Sequence, residues 1–287
     1  MSELEHFIYP LAIVIAAYCH VTIAHMLNYP AIDPVALDLG FLQIRWYGLS
    51  YVAGILGAWQ LLKQRAKLSY WNYSQEQVGD LVFYCMLGII VGGRLGSVLF
   101  YYPGYYLANP VEIFYLQQGG MAFHGGLIGV LLAAWLYARK QQKPFFAVTD
   151  FIAPVVPVGL FCGRIANFIN GELWGAPSNL PWAMVFPDPS AGSITRHPSQ
   201  LYEALLEGLV LFAVLWWFSS QPRSRASISG AFLLLYGLFR FLVEFVREPD
   251  SHIGYLAFGW FSMGQALSLP MIILGLIILF GLKGKQR

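Results

Sequence analysis

The sequence predicts an all-α, polytopic membrane protein with about seven transmembrane helices around a polar cavity that opens outward or sideways. The first observation is composition: 57% of the 287 residues are hydrophobic and only 11% are charged. Soluble domains carry roughly 25% Asp, Glu, Lys and Arg, so a chain with this little charge cannot build an ordinary water-facing surface. The second observation is a series of apolar runs, each near the length of about 20 residues that a span requires. The net charge of +2 is too weak to indicate a nucleic-acid partner.

Seven apolar runs account for the predicted spans. They lie at 47–62, 78–100, 121–138, 150–169, 201–218, 230–246 and 259–282.

Basic residues orient these spans, because cytoplasmic loops carry an excess of Lys and Arg. Eleven of the seventeen basic residues follow the first, third, fifth and seventh runs. These eleven are Lys63, Arg65, Lys67, Arg139, Lys140, Lys143, Arg223, Arg225, Lys283, Lys285 and Arg287. The three connections and the C-terminal tail are therefore predicted to be cytoplasmic, with the remaining loops outside.

Residues 1–25 form an uncertain N-terminal extension that precedes a single predicted domain at 26–287. The extension is apolar, but Glu3 and Glu5 stand where a secretory signal would have basic residues. Three interpretations stay open: an extra span, an interfacial segment, or a start codon placed too far upstream, with Met26 as the alternative start. If the extension does not span the membrane, the N-terminus is predicted to lie outside.

The three cysteines indicate no metal site and no structural disulfide. Cys19, Cys85 and Cys162 lie in apolar surroundings without a CxxC pair or a local histidine cluster. Isolated cysteines in such surroundings pack as small hydrophobic residues. The sequence also lacks a phosphate-binding glycine loop, and we predict that no cofactor is used.

Glycines in the second run are typical of close helix packing. Gly88, Gly92 and Gly96 repeat every four residues, as in the small-xxx-small pattern of membrane helices. Arg94 lies among them, where small neighbours leave room for a large head group or a carboxylate partner.

The segment GRIANFINGELWG at 163–175 holds more polar groups than packing requires. Arg164 and Asn167 are three residues apart and share a helix face, and Asn170 and Glu172 follow where the span ends. An arginine with amide donors nearby suits a phosphate or a carboxylate. The alternative is a helix end capped by Asn and Glu. Two glycines permit turns here, Gly171 and Gly175.

Two further runs carry charged pairs. Arg240 and Glu244 are four residues apart and are predicted to pair along one helix face, which Arg247 extends outward. Glu203 and Glu207 have the same spacing at the start of the fifth run. Charges at membrane depth are costly, which favours a functional role over a purely structural one.

Tyr47 and His124 complete the candidate site. In the alternative interpretation, Tyr47 is an interfacial aromatic residue and His124 is a buried packing residue near the end of a span. Together with the arginines, these residues are predicted to line a cavity within the membrane whose natural ligand is an anionic lipid head group. A transporter for an anionic solute is the rival interpretation, although the chain shows no matching halves.

Eight segments of this chain resemble the prolipoprotein diacylglyceryl transferase family. They are RWYGL (45–49), GGRLG (92–96), FHGGLIG (123–129), DFIAP (150–154), GRIANFINGELWG (163–175), RHPSQLYEALLEG (196–208), FRFLVEFVREPD (239–250) and SMGQALSLP (262–270). The resemblance runs from about Asn28 to the C-terminus, and GRIANFINGELWG reads as the family signature. The chain departs from the family pattern in residues 1–25 and in a short loop after Ser190.

The resemblance implies a seven-span enzyme of the bacterial inner membrane. The implied reaction moves the diacylglyceryl group of phosphatidylglycerol onto the lipobox cysteine of a prolipoprotein signal peptide, so that a thioether forms and glycerol phosphate leaves. This is the first step of bacterial lipoprotein maturation, and it requires no metal or nucleotide.

The resemblance and the chemistry of the residues together suggest roles in that reaction. The expected catalytic residues are His124, Arg164, Arg240 and Tyr47. The expected substrate-binding residues are Asn167, Glu172, Gly175, Arg94, Glu244, Arg247, Asn170 and Glu203. We expect His124 to act as the general base and the arginines to stabilise the leaving phosphate, with Glu172 and Glu244 holding the arginines. In an alternative, an arginine activates the thiol through the substrate phosphate and His124 only positions the substrate.

Overall fold

The computed structural model describes residues 27–40, 43–115, 119–249 and 254–281. The predicted extension at 1–25 lies outside the described residues. The described chain is mostly helical and carries several helices apolar enough to cross a membrane, which confirms the predicted fold class.

Helices occupy the positions of all seven predicted runs. The α-helices are α1 (Trp46–Arg65), α2 (Gln75–Gly96), α3 (Pro103–Ala108), α4 (Phe123–Lys140), α5 (Phe145–Ile152), α6 (Val156–Ile169), α7 (Ser199–Glu203), α8 (Leu211–Phe218), α9 (Ser227–Val243) and α10 (Met263–Leu276). Shorter π-helical and 3-10 segments join or extend them at Ser97–Tyr101, Pro110–Phe114, Ala153–Val155, Pro189–Ala191, Ala204–Val210 and Ile277–Gly281.

In the part of the chain that the structure describes, four continuous helical stretches are long and apolar enough to span a bilayer. They are Gln75–Tyr101, Phe145–Ile169, Ser199–Phe218 and Met263–Gly281. The helix at Ser227–Val243 is apolar but shorter. A total of seven crossings stays a prediction.

Glycines bring α2 and α4 into close contact, as the four-residue spacing predicts. A Cβ atom added at Gly129 would lie 2.0 Å from the carbonyl oxygen of Gly88. One added at Gly92 would lie 2.4 Å from the carbonyl oxygen of Gly125. Because these distances are below any van der Waals contact, only glycine allows the two backbones to approach this closely. The packing role predicted for these glycines is confirmed.

The basic ends of α1 and α4 lie at the same end of the bundle as the end of α8, which Arg223 and Arg225 follow. Nη1 of Arg65 donates to Oγ of Ser219 at 2.8 Å, which joins the end of α1 to the residue after α8. Nζ of Lys143, just after α4, donates to the carbonyl oxygen of Asn72 at 2.6 Å. This arrangement agrees with the predicted sidedness, while the identity of the cytoplasmic side stays a prediction.

Short strands shape the opposite connections. The strands are β1 (Leu27–Asn28), β2 (Val35–Asp38), β3 (Gln43–Arg45), β4 (Met184–Val185), β5 (Thr195–Arg196), β6 (Tyr255–Ala257) and β7 (Phe261–Ser262). β4 pairs in parallel with β1 and antiparallel with β5, and β2–β3 and β6–β7 are antiparallel pairs. The proline-rich segment 171–198 is therefore built of turns, two short strands and one 3-10 segment rather than of one helix.

Candidate active site

Six charged side chains from α6, from α9 and the residues just after it, and from the helical stretch Ser199–Phe218 meet inside the bundle. The arginine side chains keep 12–18% of their surface exposed, whereas the glutamate side chains keep 0–5%. The guanidinium groups therefore stand between a layer of buried carboxylates and the accessible space in front of them. We call this group the charge cluster; it consists of Arg164, Arg240, Arg247, Glu203, Glu207 and Glu244.

Glu203 is the centre of the charge cluster. Its Oε2 lies 3.1 Å from Nε of Arg164. Its Oε1 accepts a hydrogen bond from Nη1 of Arg240 and lies 3.4 Å from Nη1 of Arg247. One buried carboxylate thus contacts three guanidinium groups that come from two different helical regions.

Glu244 holds Arg240, as the four-residue spacing predicts. Oε1 of Glu244 pairs with Nη2 of Arg240 and lies 3.7 Å from Nη1 of Arg247. Oε2 accepts a hydrogen bond from Oγ of Ser262, at the start of α10. Gly264 leaves space for this carboxylate, because a Cβ atom there would collide with it.

Glu207 joins the charge cluster although it is not among the expected catalytic or substrate-binding residues. Its Oε2 lies 3.4 Å from Nη2 of Arg164, and its Oε1 lies 3.8 Å from Nη1 of Arg240. The four-residue spacing from Glu203 indicates that both carboxylates share one helix face, but it does not show which arginines they meet.

Asn167, Asn170 and Glu172 form a second polar group at the end of α6. The side-chain amides of Asn167 and Asn170 donate to Oε1 of Glu172 at 2.8 and 3.2 Å. Nε2 of Gln200 donates to the Glu172 carbonyl oxygen at 2.6 Å. Glu172 therefore contacts amides, and within the described residues Glu203, Glu207 and Glu244 hold the arginines. The expectation that Glu172 does so is wrong.

Tyrosines border the charge cluster. The hydroxyl of Tyr47 lies 3.3 Å from that of Tyr51, and Tyr47 interacts electrostatically with Glu172 and Arg164. Tyr236, which the sequence analysis does not single out, interacts electrostatically with Arg164 and with other members of the cluster. The expected site residue Tyr47 is thus close to both polar groups.

The two glycines of the signature act differently. Gly171 has φ +68°, so it makes the left-handed turn that the sequence predicts. Gly175 is needed for its size: a Cβ atom there would lie 2.4 Å from the carbonyl oxygen of Val246 and 2.6 Å from Cβ of His197. Gly175 also pairs in an isolated bridge with Arg247, so it packs the connecting loop against the cluster.

Arg94 lies apart from the charge cluster. Its buried guanidinium stacks on the ring of Tyr106, 5.0 Å from the centroid. It donates to a series of backbone carbonyl oxygens, those of Glu112, Ile113, Tyr115, Gly119 and Gly120. These contacts secure the segment between α2 and α4, and the substrate-binding role of Arg94 stays a prediction.

His124 lies in the first turn of α4 with an exposed side chain. Its ring stands edge-on to Phe123 with the centroids 5.6 Å apart. Among the described residues, no hydrogen bond or ion pair joins it to the charge cluster. Its role as general base stays a prediction.

Comparison with known proteins decides the family. The chain matches the family described as prolipoprotein diacylglyceryl transferase over residues 34–281. The chain belongs to the prolipoprotein diacylglyceryl transferase family. The family and the enzyme class predicted from the motifs are thus confirmed, and the chain is a membrane transferase.

Three relatives that align with most of the chain are each named phosphatidylglycerol–prolipoprotein diacylglyceryl transferase. The protein of Nitratidesulfovibrio vulgaris (Miyazaki F) is 56% identical over 259 residues, which cover 90% of this chain and 97% of the relative. That of Methylococcus capsulatus is 58% identical and that of Pseudomonas aeruginosa PAO1 is 56% identical, each over 88% of this chain. These alignments cover 97% and 95% of the two relatives.

The matched range of this chain contains the charge cluster, the second polar group and the bordering tyrosines. Three arginines in a partly enclosed site are suited to a phosphate ester, because the guanidinium offers five N–H donors in a fixed plane. Exclusion of water strengthens their attraction for negative charge. The arrangement can therefore bind a phosphodiester and stabilise a phosphate that leaves.

Proposed function

We propose that this chain transfers the diacylglyceryl group of phosphatidylglycerol to the lipobox cysteine thiol of a prolipoprotein. The sulfur attacks the glyceryl carbon that carries the phosphate ester. A carbon–sulfur bond forms, the carbon–oxygen bond breaks, and glycerol phosphate leaves. The observation that carries the proposal is the sharing of Glu203 by Arg164 and Arg240, whose guanidinium groups remain partly exposed.

The donors left over on the arginines support a phosphate ligand. Arg164 uses Nε and Nη2 for Glu203 and Glu207, which leaves Nη1 without a contact among the described residues. Arg240 uses Nη1 and Nη2, which leaves its Nε. A phosphodiester in front of the cluster would take these remaining donors, and charge-assisted hydrogen bonds of this kind are about twice as strong as neutral ones.

The charge that develops in the reaction matches the site. A free thiol has a pKa near 8.5, so at neutral pH it must lose a proton before it attacks. We assign this proton to His124; in the alternative, the substrate phosphate takes it beside an arginine. The leaving glycerol phosphate gains negative charge, which the fixed guanidinium groups stabilise without reorganising.

The remaining site residues bind and shape the substrate. Asn167 and Tyr47 are placed to contact the head group beside Arg164, and Asn170 and Glu172 orient Asn167. Gly175 keeps the connecting loop against the cluster. We assign Arg94 to securing the segment that leads into α4, the helix that carries His124.

The proposed location is the bacterial inner membrane, with the site near the outer leaflet and the C-terminus in the cytoplasm. The basic ends of α1 and α4 and the basic residues after α8 support this orientation, since they gather at one end of the bundle. The residues of the charge cluster are close in sequence to the loops at the other end of the bundle. A lipobox peptide and outer-leaflet lipid would arrive at those loops.

A transfer assay tests the proposal directly. Purified protein is mixed with labelled phosphatidylglycerol and a lipobox peptide, and the peptide mass is measured. We expect a mass gain with the cysteine peptide, none with a Cys→Ser peptide, and a large loss with Arg164→Ala. Arg139→Ala, an exposed arginine at the far end of α4, is the matched control. Solute counterflow without peptide modification would favour a transporter and overturn the proposal.

A further inference from the structure

The charge cluster is electrically balanced before any substrate enters. It contains three guanidinium groups and three carboxylates, so its formal charge is zero. Glu172, in the neighbouring polar group, is a further carboxylate and cannot offset the charge of a phosphate. A phosphodiester brings one negative charge, and an unbalanced charge in a buried site is costly.

The three carboxylates are not held equally. Glu203 contacts three guanidinium groups, and Glu244 contacts two as well as the Ser262 hydroxyl. Among the described residues, Glu207 meets guanidinium nitrogens only at 3.4 and 3.8 Å, both longer than the shortest contacts of Glu203 and Glu244. Its side chain has no exposed surface at all. The carboxylate of Glu207 is therefore the least stabilised anion of the cluster.

The groups that face Glu207 come from three sides. Arg164 approaches from α6, and Arg240 and Tyr236 approach from α9. Glu203 lies one turn earlier on the same helical stretch and is itself negative. When a phosphodiester binds the remaining donors of Arg164 and Arg240, its negative charge offsets part of their attraction for Glu207, while the repulsion from Glu203 remains.

We propose that Glu207 takes up a proton when the anionic head group binds, so that the charge cluster stays neutral. The proton comes from the aqueous side, and Glu207 stays a neutral carboxylic acid for as long as the phosphate is bound. Neutral Glu207 releases Arg164 and Arg240 from part of their pairing, so these arginines act more strongly on the leaving phosphate. Glu207 is thus a positioning residue that acts through the arginines. This inference rests on the proposed function.

Proton uptake can be measured directly. Phosphatidylglycerol is titrated into the detergent-solubilised full chain by calorimetry, in buffers that differ in ionisation enthalpy. We expect the parent protein to take up a proton for each bound lipid, and Glu207→Gln to bind the lipid without uptake. Glu248→Gln is the matched control, because Glu248 pairs with Arg196 outside the cluster, and it should keep the uptake of the parent.

Infrared difference spectroscopy gives a second readout on the parent protein. Lipid binding should produce the carbonyl band of a neutral carboxylic acid, which Glu207→Asp shifts and Glu207→Gln removes. Lipid binding by the parent without proton uptake and without this band would overturn the inference and leave the proposed function intact. Unchanged uptake in Glu207→Gln would also overturn it. A parent chain that does not bind phosphatidylglycerol would overturn both proposals.

Discussion

Oε2 of Glu203 lies 3.1 Å from Nε of Arg164, although the two residues belong to different helices. The same carboxylate contacts Arg240 and Arg247 with its other oxygen. Its side chain is inaccessible to solvent, so among the described residues only these arginines compensate its charge. Glu203 therefore sets the spacing of the guanidinium groups that we assign to the phosphate.

Replacing Glu203 by Gln should damage both stability and activity. Removal of one partner from a buried ion pair costs about 3–5 kcal/mol, because the opposite charges stay buried without compensation. We expect a lower thermal unfolding midpoint in detergent and loss of most transferase activity. Glu248→Gln, which alters a partly exposed pair with Arg196, should have a small effect on both. Comparable losses in the two variants would contradict the central role of Glu203.

Arg164→Lys should lose activity although the positive charge is kept. Arg164 uses two separate nitrogen atoms for Glu203 and Glu207, and a lysine cannot reproduce this planar arrangement. Hydrogen bonds between charged groups contribute about 1.5–3 kcal/mol, so we expect the rate to fall about 10- to 100-fold. The initial rate of peptide modification is the measurement. Near-normal turnover would show that a point charge is sufficient at this position.

Contacts within one helix could be predicted from the sequence, whereas contacts between helices could not. The Arg240–Glu244 pair follows from four-residue spacing on α9, and it is present in the structure. The contact between Glu203 and Arg164 depends on which helices pack together, and hydropathy does not specify this. Glu207 has the same spacing signal as Glu203, but its place in the cluster also depends on that packing.

Contacts made by backbone atoms could not be predicted from the sequence. The small residues around Arg94 predicted room for its head group, but the acceptors are backbone carbonyls, which any residue type provides. Strands of two to four residues are likewise too short to show an alternating pattern. Long apolar runs, in contrast, predicted the helices well, because burial in lipid requires their length and composition.

Arg94→Gln should loosen the segment between α2 and α4. Its guanidinium donates to backbone carbonyls such as those of Ile113 and Gly120 and stacks on Tyr106. Loss of these charged hydrogen bonds should cost about 2 kcal/mol or more. Limited proteolysis should then cut between residues 103 and 115 faster than in the parent. Arg139→Gln, at an exposed position, should leave the cleavage rate unchanged, and equal rates in all three proteins would exclude an anchoring role.

His197 should make stability depend on pH. Burial lowers the pKa of His197 below its ordinary value, and its Nδ1 lies 3.2 Å from the Tyr202 hydroxyl. The unfolded chain therefore binds more protons near neutral pH, and stability rises with pH. The contribution of neutral His197 to stability is complete above its pKa of about 6.5 in the unfolded chain. It is lost as the pH falls through the lower pKa of His197 in the folded chain. Unfolding midpoints at about pH 7.5 and about pH 5.5 should differ less in His197→Gln than in the parent; an equal difference would contradict this.

His124→Gln tests which group receives the thiol proton. His124 is exposed in the first turn of α4, so glutamine should fold normally there while removing a titratable base. General-base catalysis contributes about 10²–10⁴-fold, and we expect a loss of this size in the transfer rate with little change in phosphatidylglycerol binding. His197→Gln is the matched histidine control and should retain most of the activity. Near-normal turnover of His124→Gln would instead assign proton removal to a phosphate oxygen of the substrate, held by Arg164 and Arg240. That phosphate oxygen is present whichever residue stands at position 124.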